Sequence, residues 1–212
     1  MYQIVAFDLD GTLADTIPMC LRAFRISVSP YADHELSEEE ILHTFGLNET
    51  GMIKAVVGQN WKLAVEDFYT QYELLHHEVT GIFPRVAELL HFLKKKEVII
   101  ALIMGKGEKS CAITLEELGL SEMFDEQLYG SEISPNKKEH MEYLLNKYSV
   151  PKEKLCYIGD AVQDIKACQI AGVVCFSAAW QESARRDVLE KENPGRVFGS
   201  AGDLLEYLKC GW

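Results

Sequence analysis

The sequence predicts an α/β fold, a doubly wound parallel sheet with an inserted all-helical cap. Three observations carry that expectation. Four apolar runs, Ile4 to Phe7, Val98 to Met104, Leu155 to Ile158 and Val173 to Phe176, have the length and composition of strands buried on both faces, and helix-period segments separate them. Acidic residues follow two of these runs at once, Asp8 and Asp10 after the first and Asp160 and Asp164 after the third, at the edge where open α/β sheets bind ligands. Between the first run and the second, residues 16–82 carry helical patterns and no strong strand run.

A chain of 212 residues with 48% apolar and 25% charged content can bury one sizeable core and a small second one. The expected division is a core of residues 1–15 and 83–212 and a cap of residues 16–82. A net charge of -12 disfavours nucleic acid and anionic membrane as partners, but leaves room for a small anionic substrate in a local positive pocket. No stretch is long and uncharged enough to span a bilayer. The six cysteines show no C-x-x-C or zinc spacing, and Cys156 and Cys175 read as buried small hydrophobes, so free thiols in a reduced cytosol are expected. Nothing at the N-terminus resembles a signal peptide, because Asp8 and Asp10 interrupt the early apolar run; a cytoplasmic location is the expectation.

The first strand, Ile4 to Phe7, runs into Asp8-Leu9-Asp10-Gly11-Thr12-Leu13-Ala14-Asp15. Two carboxylates one residue apart repel unless a cation lies between them, and Gly11 lets the backbone turn so that both can face one. Mg²⁺ suits such a place, since it takes one or two carboxylates and completes its shell with waters and substrate phosphate. The plainer alternative is an N-cap cluster starting the next helix. The octapeptide resembles motif I of the haloacid dehalogenase superfamily in its phosphatase form. That resemblance implies Asp8 as nucleophile, Asp10 as general acid and base, a turn held by Gly11 and Thr12, bound Mg²⁺, and three further motifs in order.

Within residues 16–82, apolar positions fall at helical spacing: Leu21, Phe24 and Val28; Ile41, Leu42 and Phe45; Leu63, Val65, Phe68, Tyr72 and Leu75. Ser37 with Glu40 forms a capping box, Asn48 can cap a helix starting at Glu49, and breaks fall at Ser29-Pro30-Tyr31, Gly46 and Gly58. The resemblance makes this insert a C1 cap that closes over the site and excludes water. Trp61 reads as core, and the adjacent His76 and His77 as solvated.

Pro84 is expected to open a helix with Val86, Leu89, Leu90 and Leu93 on one face and Lys94 to Lys96 at its negative end. The next strand ends in Met104-Gly105-Lys106-Gly107. By resemblance this is motif II, where relatives place a Thr or Ser hydroxyl; the Met104 thioether donates nothing. Loss of one such donor costs on the order of 2.7 to 4 kcal/mol in oxyanion holes, which implies a slow enzyme or a donor moved elsewhere, with the amides of Gly105 and Lys106 or the hydroxyl of Ser110 as substitutes. A P-loop is excluded, since G-x-x-x-x-G-K-[ST] is absent, and Lys106 either meets substrate at the cap or is an exposed loop lysine. A helix through Ala112, Leu115 and Leu118 to Gly119 follows, then a short strand within Phe124 to Gly130.

Lys137-Lys138-Glu139-His140-Met141 resembles motif III, whose lysine offsets charge around the nucleophile; Lys137 fits best with Asn136 as helix cap, and Lys138 is the alternative. Gly159-Asp160-Ala161-Val162-Gln163-Asp164 resembles motif IV, placing Asp160 at a strand end and Asp164 one turn on along the same helix face, where the resemblance implies that they complete a metal site with Asp8 and Asp10. After it come a helix to Gly172, the strand Val173 to Phe176, a helix around 182–191, an extended Arg196-Val197-Phe198 and a last helix over 201–209.

The resemblance implies strand order 5-4-1-2-3 and a phosphatase of subfamily IA, with a small, phosphoglycolate-like phosphomonoester as substrate and pyrophosphate or a nucleotide as alternatives. Mutase chemistry is disfavoured, because related mutases carry His four residues after the counterpart of Thr16 and this chain has Cys20. Dehalogenation is disfavoured by the second Asp of motif I. Met104 also leaves open another class, a catalytically weak Mg²⁺-binding regulatory or binding protein. Monomer and dimer are both compatible with the sequence.

Overall fold

In the computed structural model, which describes residues 1–211, the apolar runs become strands of one parallel six-stranded sheet. β1 (Ile4–Phe7) lies at its centre, flanked by β2 (Ile99–Ile103) and β4 (Leu155–Gly159). In register, Ile4 stands opposite Ile99 and Leu155, and Phe7 opposite Leu102 and Ile158. β3 (Glu126–Leu128) pairs with β2, while β5 (Val174–Ala178) and β6 (Val197–Phe198) extend the sheet beyond β4. The order is 3-2-1-4-5-6, which is the expected order with one strand added. That strand is the Val197-Phe198 piece, joined to the edge through Ser177 opposite Val197.

Side chains alternate along β1, so Val5 and Phe7 enter one core and Ile4 and Ala6 the other. This is why the run is apolar throughout. The first core is covered by α5 (Val86–Lys95), α6 (Glu108–Glu117) and α10 (Ala201–Cys210). The second is covered by α7 (Lys137–Tyr148), α8 (Val162–Ala171) and Leu189 of α9 (Arg186–Glu192). A third core belongs to the insert: α1 (Ile17–Val28), α2 (Glu38–His43), α3 (Glu49–Val56) and α4 (Trp61–Leu75) gather Phe24, Ile41, Ile53, Phe68 and Tyr72, with Ile113 of α6 packed against them.

Local signals act where they were read. Ser37 and Glu40 exchange capping hydrogen bonds, and Asn48 Oδ1 accepts from the Gly51 amide at 3.0 Å. Three readings need correction. α5 starts at Val86 rather than Pro84, because Arg85 has φ +67 outside the helix. α9 starts at Arg186 rather than near 182, the intervening chain turning with Ala184 N–H on Gln181 O at 3.1 Å. Asn136 does not cap α7: its Nδ2 donates instead to Tyr129 O at 3.2 Å, tying the start of α7 to the chain after β3. Among the described residues no helix is long and apolar enough to cross a membrane.

Candidate active site

β1 and β4 are neighbours, so the acids at their ends come together at the carboxyl edge of the sheet. Asp8 is pinned at the end of β1, its amide donating to Ile158 O at 2.8 Å. The chain then folds back in one tight turn, with Leu13 N–H on Leu9 O at 2.9 Å. Gly11 takes φ +78 there, and a Cβ on it would collide with the Asp160 carboxylate and stand 2.9 Å from Gln181 Oε1. The turn is glycine because Asp160, which follows β4, leans directly on it.

Thr12 Oγ1 donates to Asp160 Oδ1 at 3.1 Å, so motif I holds motif IV by a side chain. Asp164, buried in the first turn of α8, accepts from the Ala161 amide at 3.0 Å. Carboxylate oxygens of Asp8, Asp160 and Asp164 lie within 4.8 Å of one another. Lys137 reaches in from α7 and sits 2.6 Å from both Asp8 Oδ2 and Asp164 Oδ1, while Asp8 Oδ1 accepts from the Leu9 amide at 2.8 Å. Lys138 faces outward to Glu142, 3.2 Å away. Of the two candidate lysines, Lys137 is the one brought to the acids.

The electrostatics are unbalanced. Burial pushes the Asp8 carboxyl up; Lys137 pulls it back, Asp164 and Asp10 add to the rise, and it stands at about 6. Burial, then Asp8 and Asp164, push Asp160 well above the carboxylate range. Burial opposes the charge on Lys137, but Asp164 and Asp8 outweigh it and hold the ammonium above the usual lysine range. One lysine does not neutralise three acids placed so close together.

Asp10 turns away from this cluster. Its Oδ1 accepts from the Thr16 hydroxyl and lies 3.0 Å from Lys106 Nζ. Lys106 is not an exposed loop lysine: its side chain is 4% exposed, donates to the Tyr72 hydroxyl of α4 and lies 3.7 Å from Cys20 Sγ. Its ammonium is held well above the lysine range, burial being outweighed by Asp10 and by polar neighbours, Glu49 among them. Met104 is fully buried in the first core and offers no hydroxyl to the site. The Ser110 hydroxyl is turned to Glu49 and to Gly107 O, at 3.2 Å from the latter. The backbones of Gly105 and Gly130 pack too closely for a Cβ on Gly130.

The cap is seated on the core by polar contacts that the sequence did not reveal. Glu49, buried at the start of α3, accepts from the Gly107 amide at 2.9 Å and from Ser110. Asn48 Nδ2 donates to Gly130 O at 3.1 Å. Tyr72 and His76 both meet Thr114 Oγ1, at 2.6 and 3.0 Å. His76 is therefore buried, contrary to its reading as a solvated residue, and burial with nearby Lys106 holds its imidazole below the ordinary histidine range. His77 is exposed, and Trp61 lies at the edge of the cap core with Lys54 Nζ 4.2 Å from its ring centre. Trp180 and Gln181 were also missed: Trp180 Nε1 donates to Thr12 O at 3.0 Å and Gln181 Nε2 to Asp160 Oδ2 at 3.2 Å. They follow β5, and only the placement of β5 beside β4 brings them near.

Residues 5–178 match the family model of haloacid dehalogenase-like hydrolases. A phosphoglycolate phosphatase of Vibrio parahaemolyticus is 27% identical over 221 residues, covering 96% of this chain and 95% of that protein. Among solved structures, one described as a predicted phosphoglycolate phosphatase from Haemophilus somnus superposes with TM-score 0.80 at 20% identity, covering 98% of each chain. CbbY from Rhodobacter sphaeroides, solved in complex with phosphate, superposes with TM-score 0.79 at 20% identity over 96% of each chain. With acids at the ends of β1 and β4 of such a sheet and a match running through both, the chain belongs to the haloacid dehalogenase-like hydrolases, and its similarity runs to the phosphatases among them.

Proposed function

We propose that this hydrolase is a Mg²⁺-dependent phosphatase that cleaves a small phosphomonoester of the phosphoglycolate kind through an aspartyl-phosphate on Asp8. The observation that supports it best is the convergence of Asp8, Asp160 and Asp164 within 4.8 Å around the Lys137 ammonium. The donor set is all oxygen and its acids are pushed toward protonation by burial and by one another, which suits a hard divalent cation. Asp8, Asp160 and Asp164, with the backbone carbonyl of Asp10, would hold Mg²⁺. When bound it supplies positive charge against the phosphoryl oxygens.

The chain's own groups perform the rest. A carboxylate oxygen of Asp8 attacks phosphorus as the bond to the leaving oxygen breaks, and Asp10, on the far side of the turn, gives that oxygen a proton. Asp10 then takes a proton from water; the water oxygen bonds to phosphorus, the bond to Asp8 breaks, and phosphate leaves. Lys137 orients Asp8 and offsets the charge gathering beside it. Gly11 and Thr12 hold the turn, and the amides of Gly105 and Lys106 serve the phosphoryl oxygens where Met104 brings no hydroxyl. The cap, seated by Glu49 and Tyr72, shields the site from bulk water and so strengthens the electrostatic contacts inside it.

Met104 favours a second reading, a Mg²⁺-binding protein with little turnover, acting in regulation or binding. Phosphate release from phosphoglycolate, p-nitrophenyl phosphate, pyrophosphate and nucleoside monophosphates, with Mg²⁺ and with chelator, separates the two. The phosphatase reading expects Mg²⁺-dependent release from a small monoester, abolished in Asp8→Asn with the fold intact. Turnover that survives Asp8→Asn removes Asp8 from the nucleophile's role, and Mg²⁺ binding without turnover on any ester supports the second reading.

A further inference from the structure

Gln181 lies outside every motif read in the sequence, yet it touches the acid cluster. It stands three residues beyond β5, next to Trp180, whose indole holds the motif I turn. Its Nε2 donates to Asp160 Oδ2 at 3.2 Å while Thr12 donates to Oδ1 at 3.1 Å, so both oxygens of Asp160 are held by neutral donors. The amide nitrogen is the end turned to Asp160, as it must be toward a carboxylate that holds a cation.

The other end of the amide is the informative one. Gln181 Oε1 is buried, and among the described residues no donor reaches it. Around it, Asp8 Oδ1 has the Leu9 amide, Asp8 Oδ2 and Asp164 Oδ1 have Lys137, and Asp164 Oδ2 has the Ala161 amide. A buried acceptor left without a donor is costly, and such an atom calls for an explanation. The kind of partner it lacks is an O–H or N–H donor beside Asp160. Magnesium keeps several of its waters when carboxylates bind it, and those waters are donors.

We infer that Gln181 is a positioning residue for the divalent cation: its amide N–H fixes the Asp160 carboxylate, and its carbonyl oxygen accepts from water carried by the ion that Asp160 holds. The inference rests on the Mg²⁺ reading above. It assigns metal affinity to a residue that contributes no ligand atom. Partners of metal ligands commonly account for ten- to hundredfold in affinity.

The test is calorimetric titration of Mg²⁺ into chelator-treated, substrate-free protein, for the parent and Gln181→Met, which keeps the side chain's length and removes both polar ends. The unfolding midpoint in chelator is measured beside it. The expected result is a Mg²⁺ dissociation constant raised about tenfold or more, with the midpoint in chelator within about 2 °C of the parent, less than 1 kcal/mol at this chain length. A dissociation constant within twofold of the parent overturns the inference. So does a midpoint in chelator that falls together with the affinity, because Gln181 is then a tie between the β5 loop and the turn. Should Gln181→Met not yield folded protein, Gln181→Ala, read by the Mg²⁺-induced rise in midpoint, carries the same two outcomes. A parent that takes up no Mg²⁺ overturns the metal reading and this inference together, whereas parent and variant binding alike overturn the inference alone.

Discussion

Asp10 and Asp8 leave the same turn and enter different surroundings. Asp8 shares Lys137 with Asp164, while Asp10 has Lys106 at 3.0 Å and the Thr16 hydroxyl. The proposed roles, Asp8 as nucleophile and Asp10 as proton carrier, call for that separation, because a single lysine between them would bind both roles to one charge. Lys106 also ties Asp10 to the cap through Tyr72, so the position of the Asp10 carboxyl depends on a residue of α4. Lys106→Met keeps the packing volume and removes the ammonium that fixes Asp10. It is expected to lower kcat on p-nitrophenyl phosphate by roughly ten- to hundredfold, the scale on which misplaced catalytic groups lose rate, with KM changed less. Steady-state kinetics read the split, and an unaltered kcat would remove Lys106 from the positioning of Asp10. The sequence pointed to Lys106 through its place after motif II, but its partners lie 34 and 96 residues away and left no local mark.

Elements were legible where their cause is local. β1, β2, β4 and β5 show as apolar runs because both faces are buried, and α2 and α3 show through Ser37, Glu40 and Asn48 because capping joins residues three apart. Asp8, Asp160 and Asp164 were legible for a similar reason, as strand ends mark where they gather, whereas the turn of Asp10 toward Lys106 was not. What stayed hidden is the seat of the cap. Glu49 reads as an ordinary acidic residue in a helix's first turn, favoured there by the dipole of α3, and nothing nearby says that its carboxylate instead serves the first turn of α6. His76 was misread because its burial is decided by Thr114, on α6. Since Glu49 satisfies the Gly107 amide, Glu49→Ala leaves that buried group without its partner, at about 1–3 kcal/mol, while the Ser110 hydroxyl keeps Gly107 O at 3.2 Å. The expected outcome is faster hydrogen exchange at the Gly107 amide and the first turn of α6, with kcat/KM lowered through a looser cap. Unchanged exchange at Gly107 would show that Glu49 does not hold the cap down.

Across the whole molecule, a chain with net charge -12 folds three acids into one corner opposite one lysine, so electrostatic strain is concentrated at the candidate site. The sign of that strain follows from Asp8. Its carboxyl stands at about 6 in the fold and near 4 in an unfolded chain, so the folded state binds the proton more tightly. Asp8 therefore adds stability that is full below about pH 4 and is lost as pH rises toward 6; above that, its ionised form is a cost. Asp160 is raised in the same direction. In chelator, Asp8→Asn is then expected to unfold at a higher temperature than the parent at pH 7.5, by about 2–4 °C for each kcal/mol relieved, with the advantage shrinking at pH 4.5. Added Mg²⁺ should reverse the ranking at pH 7.5, because the parent gains RT ln(1 + [L]/Kd), about 2.7 kcal/mol at a hundred times Kd, and the variant has lost a ligand. Calorimetric scans of both proteins at the two pH values, with chelator and with Mg²⁺, measure all four terms. A variant less stable than the parent in chelator at pH 7.5 would mean that Asp8 contributes more through Lys137 than burial and its acidic neighbours take away.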